Sequence, residues 1–376
     1  MIVLRELLEE MIRRNASDLH LTVGVPPVFR VDGDLIPTQY EVLRPADTQR
    51  LAFSVLTEAQ KKKFEQSKEL DLSFGIEQLS RYRANVFLQR GCVAMAIRQI
   101  PFAIPSFEEL GLPRVIGELA MRPRGLVLVT GPTGAGKSTT QAAMLDKINR
   151  ERSAHVITVE DPIEFLHQHN RSLINQREVY EDTDAFAVAL KYVLREDPDV
   201  VLVGEMRDLE TMETTLRIAE TGHLALATLH TNSCDQSINR IIDAFPAHQQ
   251  TQVRTQLSFV LEGIVAQQLL PKIGGGRVLA LELLICTPAI RALVRDQKVH
   301  QIYSLMQAGT KYGMRTMNQS LVELVQRGDI TMADALRTSS RVEELKEMLS
   351  TGGSARKHAS GPSWEVEVVE KVTKEK

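Results

Sequence analysis

Residues Gly131, Pro132, Thr133, Gly134, Ala135, Gly136, Lys137 and Ser138 spell the pattern GxxxxGK[ST]. They stand directly after the short apolar run 126–130. Glycines at these spacings let backbone N–H groups turn inward around a phosphate, and a helix that starts at Lys137 aims its positive end at the same place. Lys137 is then the cation for the β and γ phosphates of a nucleotide, and the Ser138 hydroxyl, with Thr139 beside it, the oxygen donor to Mg²⁺. The order strand, Gly-rich turn, helix implies an open α/β sheet whose ligands sit at the carboxyl ends of its strands.

The rest of this half keeps to that plan. A helix over about 137–150 is followed by strand 155–160, a helix near 184–195, strand 199–205 and a helix near 208–220. Strand 223–230, helices 234–243 and 248–269, a strand at 277–284 and a largely helical region to about 350 complete it. Apolar strands alternating with helices mean a parallel sheet covered on both faces. Polar clusters close three of these strands: Glu160, Asp161 and Glu164 after the first, Glu205 after the second, His230 after the third. Each alone fits an ordinary strand-end cap, but at successive strand ends after a phosphate loop they read together as a site. Glu205 is the candidate base for the attacking water and, with Ser138, the candidate metal ligand. Glu160 and Glu164 are alternative bases, and His230 can reach a γ-phosphate through a ring N–H.

A length of 376 residues exceeds one ordinary core and predicts two domains. The first hundred residues read as α+β. Leu4, Leu7, Leu8 and Met11 share one face of a helix over 2–13, a second helix is predicted over 46–66, and alternating segments surround them. Arg81 and Arg83, two apart on a strand, face the same side, and Arg98 lies on the next strand. Paired arginines suit phosphate, but a solvated sheet face gives the same pattern. Pro101, Pro105 and Pro113 place a linker over 101–123. Residues 351–376 have the composition of a disordered tail.

A formal charge of -3 with no basic stripe speaks against nucleic-acid binding. Three scattered cysteines without CxxC spacing exclude a four-Cys zinc site and fit a reducing cytoplasm. The charged first helix is no signal peptide, and no run approaches the ~18 apolar residues of a membrane span, so membrane contact is expected only through partners.

The strings GPTGAGKST, ITVEDPIEF, INQREV, LREDPDVVLVGEMRDLET and AETGHLALATLHTNS resemble the Walker A, Asp box, Walker B and His box motifs of the secretion ATPase superfamily. ASDLHLTVGVPP, SRYRANVFLQRG, TPAIRALVR and GMRTMNQSL resemble its type IV pilus retraction branch. The resemblance covers about residues 1–349. It implies a PAS-like domain over 1–100 and a RecA-like ATPase domain over 124–350, with six chains in a ring and ATP held between the domains. It implies phosphate contacts from Arg81, Arg83 and Arg98, and places Asp161 and Thr221 near the nucleotide. It further implies an inner-membrane pilus platform protein as partner, pilus retraction and twitching motility as the output, and a cytoplasmic ring at the pilus base. Pilus-extension and type II secretion relatives carry a four-Cys zinc insertion that this chain lacks. The accessory retraction ATPases lack the sequence Ala289-Ile290-Arg291, which this chain has. The same resemblance makes that segment a requirement for retraction, and the hypothesis that follows is that Arg291 and its neighbours couple ring motion to a partner or to the adjacent subunit. The choice between the main retraction motor and an accessory or specialised paralogue stays open on sequence alone, and so do two alternatives from other classes. One is a nucleic-acid motor, to be revealed by DNA-stimulated turnover; the other is an ATP-binding switch, to be revealed by negligible phosphate release.

Overall fold

The computed structural model describes residues 2–31, 33–77, 79–100 and 103–352. Two sheets dominate it. The first is antiparallel throughout and contains β1 (Asp18–Leu21), β2 (Val28–Val31), β3 (Asp34–Pro37), β4 (Glu69–Ile76), β5 (Ser80–Gln89) and β6 (Cys92–Ile100), in the order β3-β2-β1-β6-β5-β4. The second contains β7 (Gly125–Thr130), β8 (His155–Glu160), β9 (Leu173–Glu178), β10 (Val200–Val203), β11 (Leu224–Leu229), β12 (Leu261–Pro271) and β13 (Arg277–Ile285). Its order is β13-β12-β7-β11-β10-β8-β9, and every pairing is parallel except β12 with β13.

The antiparallel sheet has one greasy face. On β5 Tyr82, Ala84 and Val86 are buried while Arg81, Arg83 and Asn85 point to the other side, as the two-residue period of a strand requires. Helix Leu4–Arg13 lays Leu4, Leu7, Leu8 and Met11 on the buried face, against Leu19, Phe29 and Tyr82. Each such side chain contributes on the order of 1.5–3 kcal/mol by leaving water. The helix predicted over 46–66 is two helices, Pro45–Phe53 and Glu58–Ser67. Thr57 starts the second one. Its hydroxyl accepts the Gln60 amide (3.3 Å) while the Gln60 side chain accepts the Thr57 amide (3.0 Å), a reciprocal cap that ends one helix and opens another.

The parallel sheet is apolar on both faces. β7, β10 and β11 are buried along their whole length, which fixes the strand ends against a rigid core. The helix predicted over 248–269 stops at Val260, and Leu261–Pro271 is strand β12. The run carries Gly263 and the β-branched Ile264 and Val265, and it lies between β7 and β13 with a bulge at Leu261/Gly263. A Cβ at Gly263 would lie 2.7 Å from Leu119, so this strand packs only with glycine there. β9 and β3 were not foreseen as strands. Within the segment read as a linker, helix Arg114–Ala120 buries Ile116, Leu119 and Ala120 against the sheet. The expected disordered tail lies, beyond Gly352, outside the described residues.

Candidate active site

β7 ends at Thr130, and the chain passes through Gly131 (φ +141°), Gly134 (φ +78°) and Gly136 (φ +83°) into helix Lys137–Glu151. A Cβ on Gly131 would sit 2.2 Å from the Gln267 carbonyl oxygen, so the turn admits no side chain there. Lys137 folds back over the loop and donates to the carbonyls of Gly131 (2.9 Å) and Pro132 (3.0 Å). Burial lowers its pKa, and the charges of Glu205 and Glu164 oppose that shift. Its neighbours are carbonyl dipoles; among the described residues no carboxylate pairs with it, so the ammonium remains available to an anion. The helix N-terminus adds its unpaired amides and dipole.

The loop forms one wall of a cavity of about 550 Å³, a size suited to a small-molecule ligand. Thr133, Gly134, Gly136, Lys137, Ser138 and Thr139 line it from the loop side. Glu160, Asp161 and Glu164 enter from the end of β8, Glu205 from β10 and His230 from β11. Gly131, Pro132 and Ala135 shape the loop without lining the cavity.

The carboxylates are held differently. Glu205 Oε1 accepts from Arg207 Nε (2.6 Å) and from His230 Nε2 (2.9 Å). Burial works against its ionised form, but the hydrogen bonds and charges of Arg207 and His230 outweigh it, and the pKa is lowered. Glu160 goes the other way. Burial pushes it up to about 7, although Thr158 Oγ1 (2.6 Å) and Gln176 Nε2 (3.2 Å) donate to Oε1. Two acids moved apart in one cavity take different roles: Glu205 stays ionised and Glu160 can carry a proton near neutrality. His167 also faces the cavity with a pKa lowered to about 4 by burial, and it is a neutral ring at pH 7.

Arg83 and Arg98 line the cavity from the antiparallel sheet. They stand opposite each other on β5 and β6, and Arg98 donates to Asp18 at 2.8 Å. Arg81 does not line it; its guanidinium donates to Ser73 Oγ (2.8 Å) and lies 3.6 Å from Glu178. Thr221 is also away from it. It caps helix Leu209–Glu220, bonding to the Arg217 and Ile218 carbonyls, before the amino end of β11, whereas His230 follows the carboxyl end. Six strand residues put roughly 20 Å between the two sheet edges. Ile290 is fully buried, and Arg291 bonds the carbonyls of Ser258 (2.9 Å) and Phe259 (2.7 Å) and the carboxylate of Glu262 (2.6 Å).

Sequence reading missed Gln267. It is buried on β12, and its Nε2 donates to the Ala135 carbonyl (2.7 Å), fixing the phosphate loop from 132 residues away. No local signal marks it. Arg207, two residues after Glu205, was legible in the strand-end pattern but was given no role.

A phosphate loop on the first strand of a mostly parallel sheet, with acids at the neighbouring strand ends, defines a P-loop nucleotide-binding protein. The chain belongs to the Type II/IV secretion system protein family, whose model matches residues 1–337. It is 47% identical over 339 residues to the type IV pilus retractation ATPase PilT of Pseudomonas aeruginosa, covering 90% of this chain and 98% of that one. It is 42% identical over 351 residues to the type IV pilus ATPase PilU of the same species, covering 93% and 92%. The fold matches the crystal structure of the pilus retraction motor PilT with bound ADP at a TM-score of 0.88, with 54% identity over 93% of this chain and 100% of that one.

Proposed function

We propose that this chain is an ATPase motor that drives type IV pilus retraction and twitching motility. The observation that carries the reading is the convergence, in one cavity, of the phosphate loop, an ionised Glu205 and Arg83 from the other sheet. The similarity to PilT, whose solved structure binds ADP, supports it.

In this reading the triphosphate lies along residues 131–139, with its β and γ phosphates on Lys137 and Arg83 and Arg98 facing them from across the cavity. Glu205 Oε1 is held by Arg207 and His230, which leaves Oε2 to orient a water in line with the γ-phosphorus and to take its proton as the bond to the β-phosphate oxygen breaks. His230 faces the γ-phosphate from the end of β11, and Asp161 and Glu164 order the surrounding water. The donor set fits Mg²⁺: a hydroxyl, Ser138, and a carboxylate, Glu205, share the cavity, and a hard dication bound largely by phosphate and water needs few protein ligands. When bound, Mg²⁺ neutralises charge developing between the β and γ phosphates.

The working unit is a homohexamer with the antiparallel domain over residues 1–100, the linker over 101–123 and the ATPase domain over 124–350. Thr221, on the far edge of the sheet, meets a nucleotide only from a neighbouring chain in such a ring. No helix among the described residues is long and apolar enough to cross a membrane, which fits a ring on the cytoplasmic side that acts through a platform protein. The PilU-like accessory role is a second reading, and the higher identity to PilT favours the main motor.

Deletion of the gene should leave excess surface pili and abolish surface motility, and complementation with Lys137→Ala should restore neither. Normal retraction in the deletion strain would overturn the proposal. Phosphate release by the purified protein, unaffected by DNA, checks the enzymatic half.

A further inference from the structure

β9 is the edge strand of the parallel sheet, and its last residue, Glu178, stands in register with Glu160 at the end of β8. Glu178 is 5% exposed, and its carboxylate reaches two separate parts of the chain. Oε1 accepts from Ser73 Oγ at 3.0 Å, across 105 residues of sequence. Arg81 closes this contact: its Nη2 donates to the same Ser73 hydroxyl (2.8 Å) and lies 3.6 Å from Oε2. On the other side Oε2 accepts the Ile163 amide at 3.3 Å. Ile163 sits in the turn that presents Glu160, Asp161 and Glu164 to the cavity.

We propose that Glu178 is a positioning residue, and that Ser73, Arg81 and Glu178 form a latch by which the antiparallel domain sets the turn carrying the cavity carboxylates. The proposal rests on the ATPase reading above. A carboxylate this buried is tolerated only with partners, and Arg81 and Ser73 supply them from the other domain. The contacts on Oε2 are shared, so the domain that holds the cation also holds the oxygen that anchors Ile163. Arg81 and Arg83 lie on one face of β5. Arg83 faces the nucleotide cavity and Arg81 faces Glu178, so a single strand touches both the phosphate space and the acid turn. A rotation that parts β4 and β5 from β9 by more than hydrogen-bond reach strips Glu178 of its cation and loosens the turn. Arg81 therefore acts on the reaction through Glu178 instead of through phosphate.

The test uses full-length Ser73→Ala, Arg81→Ala, Glu178→Gln and the Ser73→Ala/Glu178→Gln double variant, with kcat, KM for ATP and melting temperature measured for each. Loss of positioning without loss of binding lowers kcat by roughly threefold to tenfold and leaves KM within about twofold. The double variant should be no slower than the slower single one, because both remove the same link. Ser73→Thr, which keeps the hydroxyl, should retain the wild-type kcat even if Ser73→Ala proves unstable. Wild-type kcat in Ser73→Ala, losses that multiply in the double variant, a Ser73→Thr as slow as Ser73→Ala, or an Arg81→Ala effect confined to KM each overturns the latch. A wild-type protein that does not turn over ATP removes the ATPase reading and the latch with it. A turning-over wild type beside an unimpaired Ser73→Ala removes the latch alone.

Discussion

The two sheets reach one cavity by different routes. In the parallel sheet, β7, β10 and β11 are buried on both faces, so only their ends are free to carry chemistry. Lys137, Glu205 and His230 all follow such ends. The antiparallel sheet buries one face and uses the other. Asp18, Arg98, Arg83 and Ser73 stand in register across β1, β6, β5 and β4, a polar row on the face away from the apolar core, with Asp18 itself buried. Groups at buried strand ends are fixed by a core that cannot deform without cost. Groups on an outer face are held by their own sheet and by side-chain contacts to the other one, such as Ser73 and Arg81 to Glu178. Chemistry that must be placed to a fraction of an ångström belongs to the first kind, and contacts made and released as domains turn belong to the second.

The strongest way to break that division is to remove the charge at the end of β7. Lys137→Ala leaves the glycine turn in place but takes away the only side-chain cation on the loop. Phosphate release should fall to background and nucleotide affinity should drop with it. Near-normal turnover would remove the loop from the reaction. The next effect in size is at the end of β10. Glu205→Gln keeps the shape and an oxygen for Arg207 and His230, but it takes no proton. Turnover should fall by roughly 10²–10⁴-fold while ATP binding, followed by fluorescence or calorimetry, is retained. Wild-type turnover would move the base to Glu160 or Glu164.

A third test separates the two acids by pH. Glu160 has a folded pKa of about 7 against an ordinary 4.5. Between those values the folded chain keeps a proton that the unfolded chain has released. The stability this group contributes is whole below about pH 4.5, falls as pH rises, and is gone above about 7. The span of pKa corresponds to roughly 3–3.5 kcal/mol at most. Glu160→Gln keeps the acceptor for Thr158 and Gln176 and has nothing to titrate. Its melting temperature should therefore fall less than that of the wild type between pH 5 and pH 8. Parallel curves would show that Glu160 titrates as a free acid.

How much of this was legible in sequence depends on how local each requirement is. The phosphate loop was readable because three positive-φ turns demand glycine within six residues. The strand ends were readable because strands buried on both faces are uninterrupted apolar runs. The boundary at Val260/Leu261 was not, since LEGIVAQQLL fits a buried helix as well as a strand until β7 and β13 lie beside it. Gln267 was hidden for the same reason. Arg81 was placed on the right face of its strand, but its carboxylate partner is on another sheet, and no spacing rule links residues 81 and 178. Arg291 was read from its motif as a coupling residue, but its bonds to the carbonyls of Ser258 and Phe259 and to the carboxylate of Glu262 carry no local signal, since these partners lie about 30 residues upstream.

The smallest expected effect sharpens the comparison within the antiparallel sheet itself. Arg83 and Arg98 both face the cavity, and sequence alone gives them the same standing. The structure separates them. Arg98 is already engaged, donating to Asp18 at 2.8 Å, whereas among the described residues no carboxylate pairs with Arg83. A paired guanidinium that turns to phosphate exchanges one anion for another, and its net gain is reduced by the pair it gives up, here one whose carboxylate, Asp18, is buried. An unpaired one gives up only water. Arg83→Ala should therefore weaken ATP binding by roughly tenfold, near the 1.4 kcal/mol of one charge-assisted contact, and Arg98→Ala by less than roughly threefold. Arg83→Ala should hardly shift the melting temperature of the nucleotide-free protein, because its side chain is exposed, whereas Arg98→Ala should lower it, because buried Asp18 loses its cation. Titration of ATP into the Glu205→Gln background, where nothing is hydrolysed, measures both. If Arg98→Ala costs more than Arg83→Ala, the Asp18 pair orients Arg98 toward the phosphates instead of withholding it, and the division between the two arginines is reversed.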